Sequence, residues 1–138
     1  MRDLWADHAA HARGSNRVNV VVVVPGLRIQ SEMNTRSHWT ARRKRFNCQA
    51  CLTQVALSQV STADRLALRD ADRVNLRLVR VGGRRLDRDN LAGGCKAVLD
   101  AVCIWLDIDD GDEKRLGIEW SQEPGGKDYS VRIELATA

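Results

Sequence analysis

The sequence predicts an α+β domain in which a small mixed β-sheet of about four strands carries two main helices packed on one face. One observation is a short β-branched run that ends at Pro25-Gly26. Another is the alternation of apolar and polar residues in three later segments. An apolar face of helical period lies between these segments. The predicted element order is therefore β-α-β-α-β-β.

The size of the chain favours one domain. Its 138 residues, 43% of them hydrophobic, give room for a single core. Residues 18–138 are predicted to form this domain. Residues 1–17 are polar, mixed in charge and without a clear period, which is typical of a flexible N-terminal arm.

The first half of the domain is predicted to hold one strand and one helix. Val18–Val24 has the length and the β-branched residues of a buried strand, and Leu27–Thr40 is predicted to be a loop that carries function. Ser61–Asp72 is polar and is predicted to be a loop with a short helical turn. The first helix is expected from Thr40 to about Val60, with a rough apolar face of Phe46, Ala50, Cys51, Val55 and Leu57 or Ser58.

The second half is predicted to hold three strands around a second helix. Alternation starts the second strand at Val74 and ends it at Gly82-Gly83, and it places two further strands at 116–120 and 129–135. The second helix is predicted from about Asn90 to Leu106. Its apolar face comprises Leu91, Cys95, Val98, Leu99, Val102 and Leu106.

Details at the start of this second helix leave two readings open. Asp89 is predicted to be its N-cap. Gly93 and Gly94 each cost a helix roughly 1 kcal/mol relative to alanine. Either the helix starts near Cys95, or the glycines let another backbone or a phosphate approach closely.

Charge and composition indicate which class of partner the protein binds and where it is located. The net charge of +4 and the pI of about 9.2 favour nucleic acid over an acidic protein. The sequence has no apolar run long enough to span a membrane and no secretory apolar core near Met1, so a cytoplasmic location is expected. The four cysteines are expected to be reduced thiols. No phosphate-cradling glycine loop is evident, so no nucleotide cofactor is predicted.

The carboxylates of this basic protein gather in one stretch. Arg84–Glu113 contains eight acidic residues. Asp87 and Asp89 point to the same side if the backbone is extended, whereas Asp110 lies beyond the far end of the predicted helix. A shared Mg²⁺ site would need the chain to fold back across the helix, or a second subunit to contribute. The alternative is a solvated acidic turn.

Three motifs within this stretch occur together. They are LDRDN (Leu86–Asn90), Lys96 followed four residues later by Asp100, and WLDIDDGD (Trp105–Asp112). Together they resemble the RusA-type Holliday junction resolvases, and the loop with Asn34, Arg36, His38 and Trp39 resembles that family's N-terminal pattern. The resemblance implies a homodimeric, Mg²⁺-dependent endonuclease that makes paired nicks in four-way DNA junctions during recombination and repair, with Mn²⁺ as a substitute.

The resemblance also assigns roles to residues. Asp87, Asp89 and Asp110 would be the catalytic carboxylates and the metal ligands, and Lys96 would be the catalytic lysine. Lys96 lies seven residues after Asp89, whereas the family's best-known member has four. The three extra residues are close to one helical turn of about 3.6 residues, so the lysine returns to nearly the same face.

Polar and basic residues within the predicted functional loop, in the first turns of the first helix and beside Asp87 are candidates for DNA contact. Cations in the first turns of a helix oppose its dipole, and a phosphate backbone would offset this. The predicted DNA-binding residues are Asn34, Arg36, His38, Arg42, Arg43, Lys44, Arg45, Arg84, Arg85 and Arg88.

Other functions stay open at this point. One is a catalytically weakened junction-binding or DNA-binding protein of the same fold. Another is a metal-dependent nuclease that acts on flaps, replication forks or RNA. In a purely structural reading, the acidic residues form a solvated turn.

Overall fold

The computed structural model describes residues 17–30 and 39–138, and these form a mixed α+β fold, as predicted. The predicted flexible arm lies almost wholly outside the described residues. Four strands and four helical segments occur within them. In chain order they are β1 (Asn19–Pro25), α1 (Trp39–Leu57), α2 (Thr62–Asp70), β2 (Val74–Val81), α3 (Arg88–Gly94), α4 (Lys96–Leu106), β3 (Leu116–Glu123) and β4 (Ser130–Thr137).

The four strands form one mixed sheet in the order β1-β4-β2-β3. β4 runs antiparallel to both β1 and β2, whereas β2 and β3 are parallel. Parallel neighbours need a crossover connection, because a tight hairpin reverses the chain direction. Here α3 and α4 make that crossover, so the acidic stretch connects two strands that lie side by side.

Alternation along the strands builds the core. Val131, Ile133 and Leu135 of β4 are fully buried and join the hydrophobic cluster. β1 was predicted to be a buried strand, but it is an edge strand with only one covered face. Val21 is 62% exposed and Val23 is 52% exposed, because their side chains alternate with those of the buried valines.

The apolar face predicted for the first helix is wrong except at Leu57. In α1, Thr53 and Leu57 are the buried residues, whereas Phe46 and Val55 are exposed. A threonine can occupy the buried face because its hydroxyl donates to the Gln49 carbonyl oxygen at 2.7 Å, within the same helix. α1 packs mainly against α4 and touches β1.

The segment Ser61–Asp72, predicted to be a loop with a short helical turn, instead contains α2. Ser61 is the N-cap, and its side chain accepts a hydrogen bond from the Asp64 backbone N–H at 3.2 Å. Leu68 anchors the helix because it is fully buried. The packing of both predicted main helices on one face of the sheet stays a prediction. No helix of the described residues combines the length and apolarity that a bilayer crossing requires.

Candidate functional site

A buried arginine positions the chain before the LDRDN motif. The side chain of Arg80 is on β2 and is 6% exposed. It donates to the carbonyl oxygens of Ile29 at 3.1 Å and Arg84 at 2.9 Å, and to Gln122 Oε1 at 3.3 Å. These neutral acceptors stabilise a cation that burial would otherwise disfavour, and burial lowers the pKa of Arg80. Arg80 thus ties the segment after β1 to the segment after β2.

The side-chain amide of Gln122, on β3, holds the same region. Together, the hydrogen bonds made by Arg80 and Gln122 form a clamp. Gln122 Nε2 donates to the Leu86 carbonyl oxygen at 2.8 Å, and Gln122 Oε1 accepts from the Leu86 backbone N–H at 2.9 Å. Leu86 is therefore held as if it were paired with another strand. Because Leu86 directly precedes Asp87, the clamp fixes the position at which the segment with Asp87 and Asp89 begins.

Asp87, not the predicted Asp89, is the N-cap of the first crossover helix. Its Oδ1 accepts from the Asn90 backbone N–H at 2.9 Å, and its Oδ2 accepts from Asn90 Nδ2 at 2.7 Å. Asp89 lies in the first turn of α3 and is exposed. A carboxylate there is favoured by the helix dipole. The cap moves by two residues because α3 starts at Arg88, before the predicted Asn90.

The second predicted helix is two helices that meet at Cys95. Both readings of the glycine pair are met in part. A helix does start next to Cys95, at Lys96, and Gly94 permits a close approach of another segment. A Cβ on Gly94 would lie 2.7 Å from Ile29 Cγ2 and 2.8 Å from the Gln30 carbonyl oxygen, whereas a Cβ on Gly93 would meet no atom within 4 Å.

The chain folds back after α4, as a shared site requires. Asp107 adopts the left-handed conformation (φ 54°) that ends the helix, and the Ile108 N–H donates to the Cys103 carbonyl oxygen at 3.1 Å. Ile108 is buried and anchors the reversal. Asp110 is thereby brought back to the level of Lys96 on α4.

Lys96 lies between two carboxylates. Its Nζ is 2.8 Å from Asp110 Oδ2 and 2.9 Å from Asp100 Oδ1. The hydrogen bond to Asp110, and next that to Asp100, raise the pKa of Lys96, so the ammonium form is favoured. The hydrogen bond from Lys96 in turn lowers the pKa of Asp110. The resemblance assigns Lys96 and Asp110 to two separate motifs, and the fold brings them together across 14 positions of sequence.

The three predicted metal ligands supply the oxygen atoms that Mg²⁺ prefers. In the part of the chain that the structure describes, however, no group of three Asp, Glu, His or Cys side chains could hold a metal ion. Asp87 uses both oxygens on Asn90, and Asp110 accepts from Lys96. Asp89 and Lys96 lie on different helices, α3 and α4, which meet at Cys95. These oxygen donors suit a cation that is also coordinated by phosphate oxygens. They do not form a preformed cage of three carboxylates.

Most predicted DNA-binding residues are accessible. Asn34, Arg36 and His38 lie outside the described residues. Arg42, Arg43 and Lys44 are exposed in the first turns of α1, Arg45 is half-buried, and Arg84, Arg85 and Arg88 are exposed around Asp87. The first turn of α1 contains no acidic residue. The positive charge that opposes the α1 dipole is thus presented to solvent.

Sequence reasoning missed Arg80 and Gln122. For Arg80 a signal was available: it follows Leu76 and Leu78 at intervals of two, so strand alternation directs it to the buried face. A charged residue at such a position indicates a specific set of acceptors. Gln122 carried no comparable signal, because its partner, Leu86, is 36 residues away in sequence.

A comparison with protein-family models gave no match, and a search of curated proteins gave no significant match.

Proposed function

We propose that this chain is an Mg²⁺-dependent, structure-selective endodeoxyribonuclease that resolves four-way DNA junctions by paired nicks, in recombination and repair. The observation that carries the proposal is the 2.8 Å contact between Lys96 and Asp110. Two separate parts of the motif to which the resemblance assigns catalysis meet in space. Their meeting depends on the left-handed turn at Asp107 that ends α4.

In the proposed site, Asp87, Asp89 and Asp110 would hold Mg²⁺, with Mn²⁺ as a substitute. When bound, the metal supplies Lewis-acid polarisation of the phosphoryl oxygen and an activated water. Lys96 keeps Asp110 ionised and close to the helix, and its ammonium group stabilises negative charge on the scissile phosphate. The Arg80 and Gln122 clamp holds the start of α3, and with it the first two carboxylates.

The proposed substrate is branched DNA, and its shape would be recognised more than its base sequence. Exposed arginines and lysines bind phosphates, which position a nucleic acid without reading its bases. They lie on α1 and beside Asp87. A homodimer would supply two such sites related by a two-fold axis, which suits two symmetric nicks. The proposed location is the cytoplasm.

A synthetic four-way junction in Mg²⁺ tests this proposal. We expect paired symmetric nicks from the wild-type protein, and a loss of at least about 100-fold in cleavage rate for Asp89→Asn, which removes a proposed ligand without a large change of shape. Asp72→Asn serves as the matched control, because Asp72 is an exposed aspartate outside the acidic stretch. Linear duplex DNA of the same sequence should stay intact. An intact junction with the wild-type protein contradicts the proposal.

The absence of a three-carboxylate cluster among the described residues favours a second candidate, a junction-binding protein with little or no cleavage activity. Tight junction binding in Mg²⁺ and Mn²⁺ without nicking would select it. A panel of flaps, forks and RNA would separate both candidates from a nuclease with another branched substrate.

A further inference from the structure

Two cysteines lie about one turn apart on the side of α1 that faces away from the core. Cys48 and Cys51 are both free and exposed. A helix advances about 100° per residue, which places them within about 40° of the side opposite the buried Thr53 and Leu57. Side chains three residues apart on a helix are neighbours, with about 5–6 Å between their Cβ atoms. The two thiols are therefore presented to solvent together.

The spacing of this pair fits a chelated metal ion better than a disulfide. An unstrained disulfide needs Cβ atoms about 3.5–4.5 Å apart, which is closer than the helical spacing provides. Tetrahedral Zn²⁺ binds thiolates at about 2.3 Å, so two of its sulfur ligands lie about 3.8 Å apart, and cysteine side chains reach that separation from neighbouring turns. C-x-x-C is also a usual spacing of paired cysteine ligands in structural zinc sites. Cys48 and Cys51 thus have the geometry of half a four-thiolate site.

The other two cysteines do not complete this set. Cys95 and Cys103 are buried, and burial raises their pKa values to about 12 and about 11, so both stay protonated near neutral pH. Zinc binds the thiolate and not the thiol. Among the described residues, no third Cys, His, Asp or Glu side chain joins Cys48 and Cys51 in a group that could hold a metal ion. A second copy of the chain, related by a two-fold axis, would bring the same pair and complete four ligands.

A seam of exposed apolar side chains runs along the same side of α1. Leu52 is 39% exposed and Val55 is 60% exposed. Cys48, Cys51 and Val55 have the spacing of positions a, d and the next a of a heptad, with Leu52 beside them. A free cysteine behaves as a small hydrophobic residue, so this seam has the pattern by which one helix packs on another. A stable interface usually takes about 20–30 residues from each partner, so a seam of four residues would not hold two copies without the metal.

We propose that Cys48 and Cys51 bind Zn²⁺ together with the same two residues of a second copy, and that the metal joins the two chains through α1. The four thiolates complete the tetrahedral set, and the Leu52 and Val55 side chains of both copies pack beside it. One copy holds only half of the site, so zinc binding and dimerisation occur together. The resulting two-fold dimer would suit paired nicks, but neither the metal nor the dimer depends on cleavage.

Sedimentation velocity in a thiol-free reductant, once with Zn²⁺ and once with a chelator, tests this zinc-bridged dimer. We expect dimers with one Zn²⁺ per two chains, and monomers in the chelator. Cys48→Ser and Cys51→Ser should each stay monomeric at one Zn²⁺ per two chains, because each leaves only two thiolates in the site. Cys103→Ala removes a thiol outside the site and should dimerise as the wild-type protein does. The visible absorption of bound Co²⁺, a substitute for Zn²⁺, reports whether the ligands are tetrahedral thiolates.

Val55→Asp separates the seam from the thiols. It keeps both cysteines but places two like charges beside the metal, so it should weaken zinc-dependent dimerisation at least about tenfold. Thermal melting in the chelator verifies that every variant folds.

Four results would overturn the inference. They are an equal dimer fraction in Zn²⁺ and in the chelator, one Zn²⁺ bound per single chain, zinc-dependent dimers of either serine variant, and wild-type monomers at saturating Zn²⁺. An unchanged dimer affinity in Val55→Asp would overturn the packing of α1 on its copy. Junction cleavage by a protein that dimerises without zinc would overturn this interface and leave the nuclease proposal standing, whereas a zinc-bridged dimer that leaves junctions intact would do the reverse.

Discussion

The two acidic segments at either end of the α3–α4 crossover are held in different ways. The segment that leads to Asp87 is fixed by partly buried hydrogen bonds from Arg80 and from the Gln122 amide. The segment that contains Asp110 is fixed at its carboxylate by Lys96, in an ion pair whose side chains are 52% and 39% exposed. Water and salt compete more strongly with the second arrangement than with the first.

This difference suggests a division of roles between the two ends. A segment held by the core keeps its geometry whatever the solution contains, and this suits the part of a site that must be in place beforehand. A carboxylate held by an exposed ion pair can exchange its partner at low cost. In the proposed nuclease, Asp110 would thus be the carboxylate that exchanges its contact with Lys96 for a contact with the metal when the metal and the phosphate bind.

The largest expected effect comes from removing the buried clamp. Arg80→Met should lower the free energy of unfolding by about 3 kcal/mol, because the Ile29 and Arg84 carbonyl oxygens lose a buried donor. The matched control is Arg69→Met. Arg69 pairs with Asp107 at 3.0 Å on the surface, where such a pair contributes under about 1 kcal/mol. Urea unfolding of both variants measures the difference, and equal losses would contradict the contrast between the two ends.

Gly93 and Gly94, next to the point where α3 and α4 meet, give a second contrast with a smaller expected effect on stability. Gly94→Ala should destabilise the protein by about 1–3 kcal/mol, because the new methyl group would clash with Ile29 and with the Gln30 carbonyl oxygen. Gly93→Ala adds the same methyl group in open space and should stabilise the helix by about 0.5–1 kcal/mol. Thermal melting of the two variants compares them. A loss of stability in Gly93→Ala would show that its surroundings are not open.

The sequence was sufficient where the pattern is local. Alternation located β2, β3 and β4, and the helical period located the buried face of α4, since both depend only on which side of an element faces the core. α2 was missed although Ser61 and Asp64 have the spacing of a helix N-terminus. Its polar composition outweighed that signal.

The candidate site was predictable in residue type but not in arrangement. Lys96 and Asp110 were identified by motif, yet their contact depends on the left-handed turn at Asp107, a non-glycine residue that rarely adopts this conformation. Alternation directs Arg80 to the buried face, but its partners are up to 51 residues away, and pairings at that range leave no periodic trace in the sequence. Candidate site residues can thus be found by pattern, whereas the contacts that position them need the fold.

The smallest expected effect is a pH dependence of the stability that Asp110 contributes. Lys96 lowers the pKa of Asp110 in the folded protein below the ordinary value of 3.8, so this carboxylate contributes stability above that pH and loses it as the pH falls through the folded value. Urea midpoints of wild-type protein and Asp110→Asn should therefore differ near neutral pH and converge below about pH 3.8.

High salt should also remove the difference in urea midpoint between the wild-type protein and Asp110→Asn, without any change of pH. At about 1 M salt the screening length falls to about 3 Å, so an exposed pair loses most of its attraction. The Arg80→Met difference should persist under these conditions, because the Arg80 side chain is buried and its acceptors are uncharged. A salt-resistant Asp110→Asn difference would mean that the Lys96 contact is shielded from solvent. Asp110 would then be as firmly held as Asp87, and the proposed exchange of partners at that end would fail.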